Sequence, residues 1–163
     1  MSLGGHWTVS RDGDRDCLAL FERHYSCKEY KDGRIRKLFC GPGSKLVLVT
    51  PELQALFVWR LFKDDSGQKG VNCAVFRNEG AGLSSDLILE AERFAWDRWP
   101  QETRLYTYVN GSKIRSSNPG YCFIKAGWTR LPDKTKWNKL DILEKMKHQS
   151  SDSRSDMGRS GGD

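Results

Sequence analysis

The chain has 163 residues, 37% of them hydrophobic, and carries a formal net charge of +6. That length suits one domain with a real core, and the modest positive excess favours anionic partners, either a phosphate-bearing cofactor or nucleic acid. The apolar runs at residues 46–49 and 55–62 fall far short of the roughly 20 residues of a membrane span, no signal-peptide pattern opens the chain, and scattered cysteines without a Cys-x-x-Cys pair argue against a disulfide framework or a zinc knuckle.

Residues 6–10 read as a short first strand. Arg11-Asp12-Gly13 then turns the chain, and Asp14 can cap a helix to about Tyr25, in which Cys17, Leu18, Phe21 and Tyr25 recur at helical spacing. From Ser26 to Gly43 the chain is polar, basic and turn-rich, a predicted surface loop. Lys31, Arg34, Arg36 and Lys37, with Tyr25, Tyr30 and Phe39 interleaved, suit phosphate contact and base stacking, while a merely solvated face is the alternative.

Lys45 to Thr50, a turn at Pro51 and Ala55 to Phe62 predict an antiparallel hairpin of β-branched and aromatic residues, and a polar turn leads to a third strand from Val71 to Arg77. That strand stops at Arg77-x-x-Gly80-x-Gly82, and Ser84-Ser85-Asp86 is expected to cap the next helix. Glycines let several backbone N–H groups converge, and a helix start adds unpaired amides and partial positive charge, so the turn suits a phosphate or pyrophosphate. An ordinary strand-to-helix connection is the other reading.

Leu87, Ile88, Ala91, Phe94, Ala95 and Trp99 form an apolar stripe, with Asp86, Glu90, Arg93 and Asp97 outside it, and Pro100 ends the helix. Residues 104–110 predict a strand with Leu105, Thr107 and Val109 on one face and Tyr106 and Tyr108 on the other. A short helix follows, with Asn118 as cap, Pro119 in its first turn and Gly127 as left-handed stop. Residues 128–131 and 139–145 then predict a closing hairpin. The expected organisation is one domain over residues 1–148 and a tail, 149–163, too polar to pack and hence disordered.

Cys73 and Cys122, in apolar surroundings, read as buried thiols, and Trp59, Trp96 and Trp99 as core. Among the histidines His24 is the candidate base by intrinsic pKa, with His6 and His148 set aside near the ends; it can equally be a surface or packing residue. Tyr106, Tyr108 and Tyr121 can donate protons, stack on a base or simply pack. Glu79, inside the turn, can orient an amine or be solvated.

The order of strand, helix, three strands, glycine turn with helix, strand, short helix and closing strands resembles that of the GNAT-type N-acyltransferases. Their phosphate turn, Gln/Arg-x-x-Gly-x-Gly/Ala, is matched by Arg77, Gly80 and Gly82. A second similar segment runs from Val109-Asn110 to Asn118, Tyr121, Phe123, Lys125, Gly127 and Trp128. The resemblance implies an α/β (α+β) domain with a mixed, mostly antiparallel central sheet flanked by helices and splayed at the fourth and fifth strands. It places a donor, acetyl-CoA or another acyl donor, against Phe76, Arg77, Asn78, Gly80, Gly82, Ser84, Ser85 and Asn118, and implies no metal.

Two departures stand out. Leu83 and Ser84 separate the glycine turn from the predicted helix, and Phe123 stands where the family often carries a proton-donating tyrosine. His24-Tyr25-Ser26, the basic loop and the small size look more like the phage Mom-like branch of the fold, which modifies an adenine amine in DNA. The implied function is transfer of an acyl-type group to an amine, with a DNA base as favoured acceptor and His24, Tyr25, Ser26, Tyr108 and Tyr121 as candidate catalytic residues. An acetyl-CoA-dependent N-acetyltransferase of a small-molecule or protein amine is the alternative, as is a nucleic-acid-binding protein without catalysis. The expected location is cytoplasmic, the host cytoplasm if phage-encoded.

Overall fold

The computed structural model describes residues 6–22, 43–63, 67–110, 120–135 and 139–147. Expectations resting on residues 23–42, 111–119 and 148–163, including the basic loop, the Asn118 cap and the polar tail, lie outside the described residues. In chain order the elements are β1 (Thr8–Ser10), α1 (Arg15–Glu22), β2 (Ser44–Val49), β3 (Ala55–Leu61), β4 (Val71–Asn78), α2 (Ser84–Arg98), β5 (Arg104–Val109), α3 (Tyr121–Lys125), β6 (Thr129–Arg130) and β7 (Asp141–Met146). The strands form one seven-stranded sheet in the order β1-β2-β3-β4-β5-β7-β6. Every pairing is antiparallel except β4 with β5, which is parallel. A mixed, mostly antiparallel sheet flanked by helices is thus what the chain builds.

Alternation along the strands divides two apolar layers. Leu46, Leu48, Phe57 and Trp59 point to the face covered by α2 and α3, while Val47, Val49, Leu56 and Val58 point to the face covered by Cys17, Leu20 and Phe21 of α1. Helix α1 starts where expected, with the Asp14 carboxylate accepting the Cys17 N–H at 3.1 Å. At the other end of the fold Gly127, at φ 97°, serves as the left-handed stop after α3. Helix α3 itself spans Tyr121–Lys125 and follows a left-handed Gly120.

One irregularity changes which face β4 presents. Val58 pairs with Val75 but Trp59 pairs with Cys73, so Ala74 is an extra residue bulged out of the ladder. Cys73 packs in the α2 layer and Val75, two positions on, in the α1 layer, which strict alternation would forbid. Beyond the bulge Phe76 therefore turns to the α2 layer. Arg77, opposite Leu56, turns to the α1 face.

Helix α2 is held by polar as well as apolar contacts. Two indoles donate to its backbone, Trp7 to the Leu87 carbonyl at 2.9 Å and Trp59 to the Ala91 carbonyl at 2.9 Å. A third, Trp128, donates to the Glu92 carboxylate at 2.8 Å. Glu92, counted by its spacing among neither stripe nor solvent face, is buried and pairs with Lys145 of β7 at 2.8 Å, and Lys145 also donates to the Ala126 carbonyl at 2.9 Å. The network ties α2 to β7 and to the end of α3. Removing one partner of such a pair strands a charge in low dielectric, so Lys145→Met should lower unfolding free energy by about 3 kcal/mol. The double variant Glu92→Gln/Lys145→Met, which keeps an acceptor for Trp128, should recover much of that loss in urea denaturation.

Candidate functional site

Strands β4 and β5 pair from Val71 with Leu105 to Cys73 with Thr107, and there the ladder ends although β4 runs on to Asn78 and β5 to Val109. The Thr107 hydroxyl donates to the Cys73 carbonyl at 3.0 Å, closing the last rung. The Ala74 bulge follows at once, adding twist that carries β4 away from its neighbour. Past this point the β4 edge facing β5 has no strand partner among the described residues. Ligands of open sheets with parallel strands bind outside such carboxyl ends.

Aromatic rings back this opening from the α2 side. Phe76 lies 5.1 Å from Phe57 and 6.1 Å from Phe123, ring centre to ring centre, and Phe123 packs on Trp128 at 4.8 Å. Phe123 is buried core and carries no phenol, so this position supplies packing rather than a proton. Cys73 and Cys122 flank the same region, and burial pushes both thiols above their ordinary range. Neither is a thiolate nucleophile at neutral pH.

The glycine turn sits at the open end of β4. Gly80 and Gly82 have φ values of 112° and 151°, in the region that disfavours side chains, and a Cβ on Gly80 would meet nothing within 4 Å. The turn is closed from within by Asn78. Its carboxamide oxygen accepts the N–H groups of Gly80 at 3.0 Å and Ala81 at 2.9 Å, and its nitrogen donates to the Gly82 carbonyl at 2.8 Å and the Ser84 hydroxyl at 2.9 Å. Two amides that the glycine pattern offers to a ligand are thus engaged by the protein's own side chain.

The start of α2 corrects the sequence reading. The helix begins at Ser84, its N-cap is Leu83, and no side chain caps it, whereas Ser84-Ser85-Asp86 was expected to do so. The Ser84 hydroxyl is taken by Asn78, and Ser85 is buried. Only Leu83 therefore separates the turn from the helix. The amides of Ser84 and Ser85 find no acceptor among the described residues and keep the first-turn donors available.

Arg77 is drawn to the carboxylate of Glu79 through its Nε, so Glu79 is neither simply solvated nor free to hold an amine. Tyr108 is half-buried against Tyr106 at 5.6 Å on the α1 face, whereas Tyr121 is exposed at the start of α3, a helix of the α2 face, with the Lys125 ammonium 5.9 Å from its ring. The structure gathers Phe76, Asn78, Gly80, Gly82, Ser84 and Ser85 at one end of β4 and keeps Tyr108 and Tyr121 on separate faces. His24, Tyr25, Ser26, Lys31, Arg34, Arg36, Lys37 and Asn118 lie outside the described residues. Among the described residues no three metal-ligating side chains converge, and no helix is long and apolar enough to cross a membrane.

Sequence reasoning missed one ionisable pair beside the turn. Glu90, placed on the outer face of α2 by its spacing, accepts the ring Nδ1–H of His6 at 2.7 Å through one oxygen. The other oxygen accepts the backbone N–H of His6 and, at 3.2 Å, that of Trp7. Burial works to raise the Glu90 carboxyl, but these three hydrogen bonds and the nearby imidazole outweigh it and hold the group below its ordinary value. Nothing in local spacing links positions 6 and 90. No protein-family model matches the chain, and no curated protein matches it closely enough to count as a relative.

Two outcomes follow from this geometry. Asn78→Ala should speed amide exchange at Gly80 and Ala81 about tenfold and cost about 1 kcal/mol in denaturant unfolding, because the exposed to half-buried turn loses the hydrogen bonds of one carboxamide. Glu90, with a depressed folded-state pKa, stabilises the fold above its unfolded value and ceases to do so as pH falls through the folded one. The stability gap between wild type and Glu90→Gln, about 1 kcal/mol above the ordinary carboxylate range, should therefore close as pH falls through the lowered Glu90 value, read from urea curves across pH.

Proposed function

We propose that the protein is a GNAT-like transferase that moves an acyl-type group from a diphosphate-bearing donor to an amine. The observation that carries this reading is the parting of β4 from β5 after Cys73 and Thr107, with a glycine turn and an uncapped helix start at the open end. A diphosphate meets the free first-turn amides of α2 and the left-handed glycines, while the rest of the donor runs along the unpaired edge of β4 toward Ala74. Backbone N–H groups on that edge are the donors for the oxygen of a tetrahedral intermediate, where preorganised dipoles stabilise developing charge.

The amine attacks the acyl carbonyl, loses a proton, and the leaving group gains one. Phe123 offers no proton, so the reading assigns the acid role to Tyr121, the exposed phenol two residues earlier, and the base role to His24. The favoured acceptor is an amine of a DNA base, supported by the net charge of +6 and by Lys31, Arg34, Arg36 and Lys37 falling in one segment.

Thermal unfolding with acetyl-CoA, CoA and duplex DNA tests this. A donor near a hundred times its dissociation constant adds about 2.7 kcal/mol, several degrees in melting temperature, and Gly80→Val, which puts a side chain at the open turn, should lose that shift, with circular dichroism reporting its fold. Replacing Arg34, Arg36 and Lys37 by Ala should weaken only DNA binding and flatten its salt dependence. A DNA shift with none from either thioester or thiol would replace the transferase by a nucleic-acid-binding module. Mass spectrometry of nucleosides from DNA exposed to the protein should reveal a new adduct; an adduct on small amines alone would move the acceptor.

A further inference from the structure

The turn at the end of β4 carries little positive charge of its own. Arg77 gives its Nε to Glu79, stands on the α1 face, and Asp86 adds a carboxylate in the first turn of α2. An anion approaching from the α2 side meets a different group. The His6 ring, 41% exposed, is fixed through Nδ1 by Glu90 and through its backbone by the same carboxylate, while the adjoining Trp7 indole is anchored on Leu87. Its Nε2 edge has no partner among the described residues and faces Gly82, where an added Cβ would stand 3.6 Å from it.

A carboxylate on Nδ1 supports either of two jobs at Nε2, proton acceptance or, as imidazolium, donation to an anion. Position selects the second. In the transferase reading the acyl carbonyl lies by Ala74 at the opposite end of the free β4 edge, and the diphosphate lies by Gly82. We propose that His6, oriented by Glu90, is a donor-binding residue whose Nε2–H contacts a phosphate oxygen beside Gly82. The ligand's identity rests on the transferase reading above; the contact itself requires only a phosphate-bearing molecule. The charged group against the ring is Glu90, and along α2 Asp86 and Arg93 stand about one turn before and after it in sequence.

The test is calorimetric titration of the full chain with acetyl-CoA and with inorganic pyrophosphate, using wild type, His6→Asn and His6→Gln. Asn retains a donor near Nδ1 for Glu90 and lacks Nε2, whereas Gln reaches the Nε2 position with an amide N–H. Binding of both ligands should weaken about tenfold in His6→Asn, the effect of one charge-assisted hydrogen bond, and recover in part in His6→Gln. Equal binding by wild type and His6→Asn, or no recovery in His6→Gln, overturns the role of His6 and leaves the transferase reading standing. Failure of wild type to bind either ligand overturns both. Should His6→Asn not fold, the same comparison is made between wild type and His6→Gln, which must bind both ligands more weakly than wild type; equal binding overturns the role of His6.

Discussion

Where the single parallel ladder stops determines what this sheet can hold. Cys73 and Thr107 make the last rung, the Thr107 hydroxyl satisfies the carbonyl left at its edge, and Ala74 bulges immediately afterwards. A bulge adds one residue to one strand only, so it turns the following side chains to the other face and swings the strand away. Phe76 thereby joins Phe57 and Phe123 on the α2 side, and the free edge of β4 leads straight into the glycine turn. An unbulged β4 would send Phe76 toward α1 and leave the opening without its aromatic backing.

An open edge is useful only if the groups at its mouth keep their places. Helix α2 is registered against the sheet by indole hydrogen bonds at Leu87 and Ala91 and by the buried Glu92–Lys145 pair, each directional in a way that apolar packing is not. Asn78 does the same for the turn, bridging Gly80, Ala81, Gly82 and Ser84 through one carboxamide. The helix start is consequently preset with the Ser84 and Ser85 amides left without an acceptor among the described residues. Preorganisation of this kind reduces the ordering cost of taking up an anion.

Much of the architecture was legible from local pattern. Alternation in residues 45–62 marked the hairpin, Asp14 marked the start of α1, and the stripe through Leu87, Ile88, Ala91 and Ala95 marked the buried face of α2, because each depends on period and on neighbours within one turn. The glycine turn was legible for the same reason. Its side-chain chemistry was not: Ser84-Ser85-Asp86 has the composition of a cap, yet Asn78 reaches across the turn to take Ser84, leaving Leu83 as an uncapped boundary. Tyr121 and Tyr108 look equivalent along the chain and differ because one opens a surface helix and the other sits in a strand.

Periodicity and turn chemistry were enough to mark the separate strands and helices and a glycine turn after the fourth strand, since those signals are short-range and repeat within a few residues; the mixed, mostly antiparallel pairing of the strands was only an implication of the resemblance in element order until the fold gave it. The bulge at Ala74, the encounter of His6 with Glu90 and the burial of Glu92 against Lys145 arise from strands and helices meeting across 84, 53 or fewer positions of chain, where no local propensity carries information. Charge makes the point most sharply. Glu92, which its spacing assigns to neither the apolar stripe nor the solvent face, is buried because Trp128, just before β6, and Lys145 of β7 come to rest beside it, and only the packed fold brings them there.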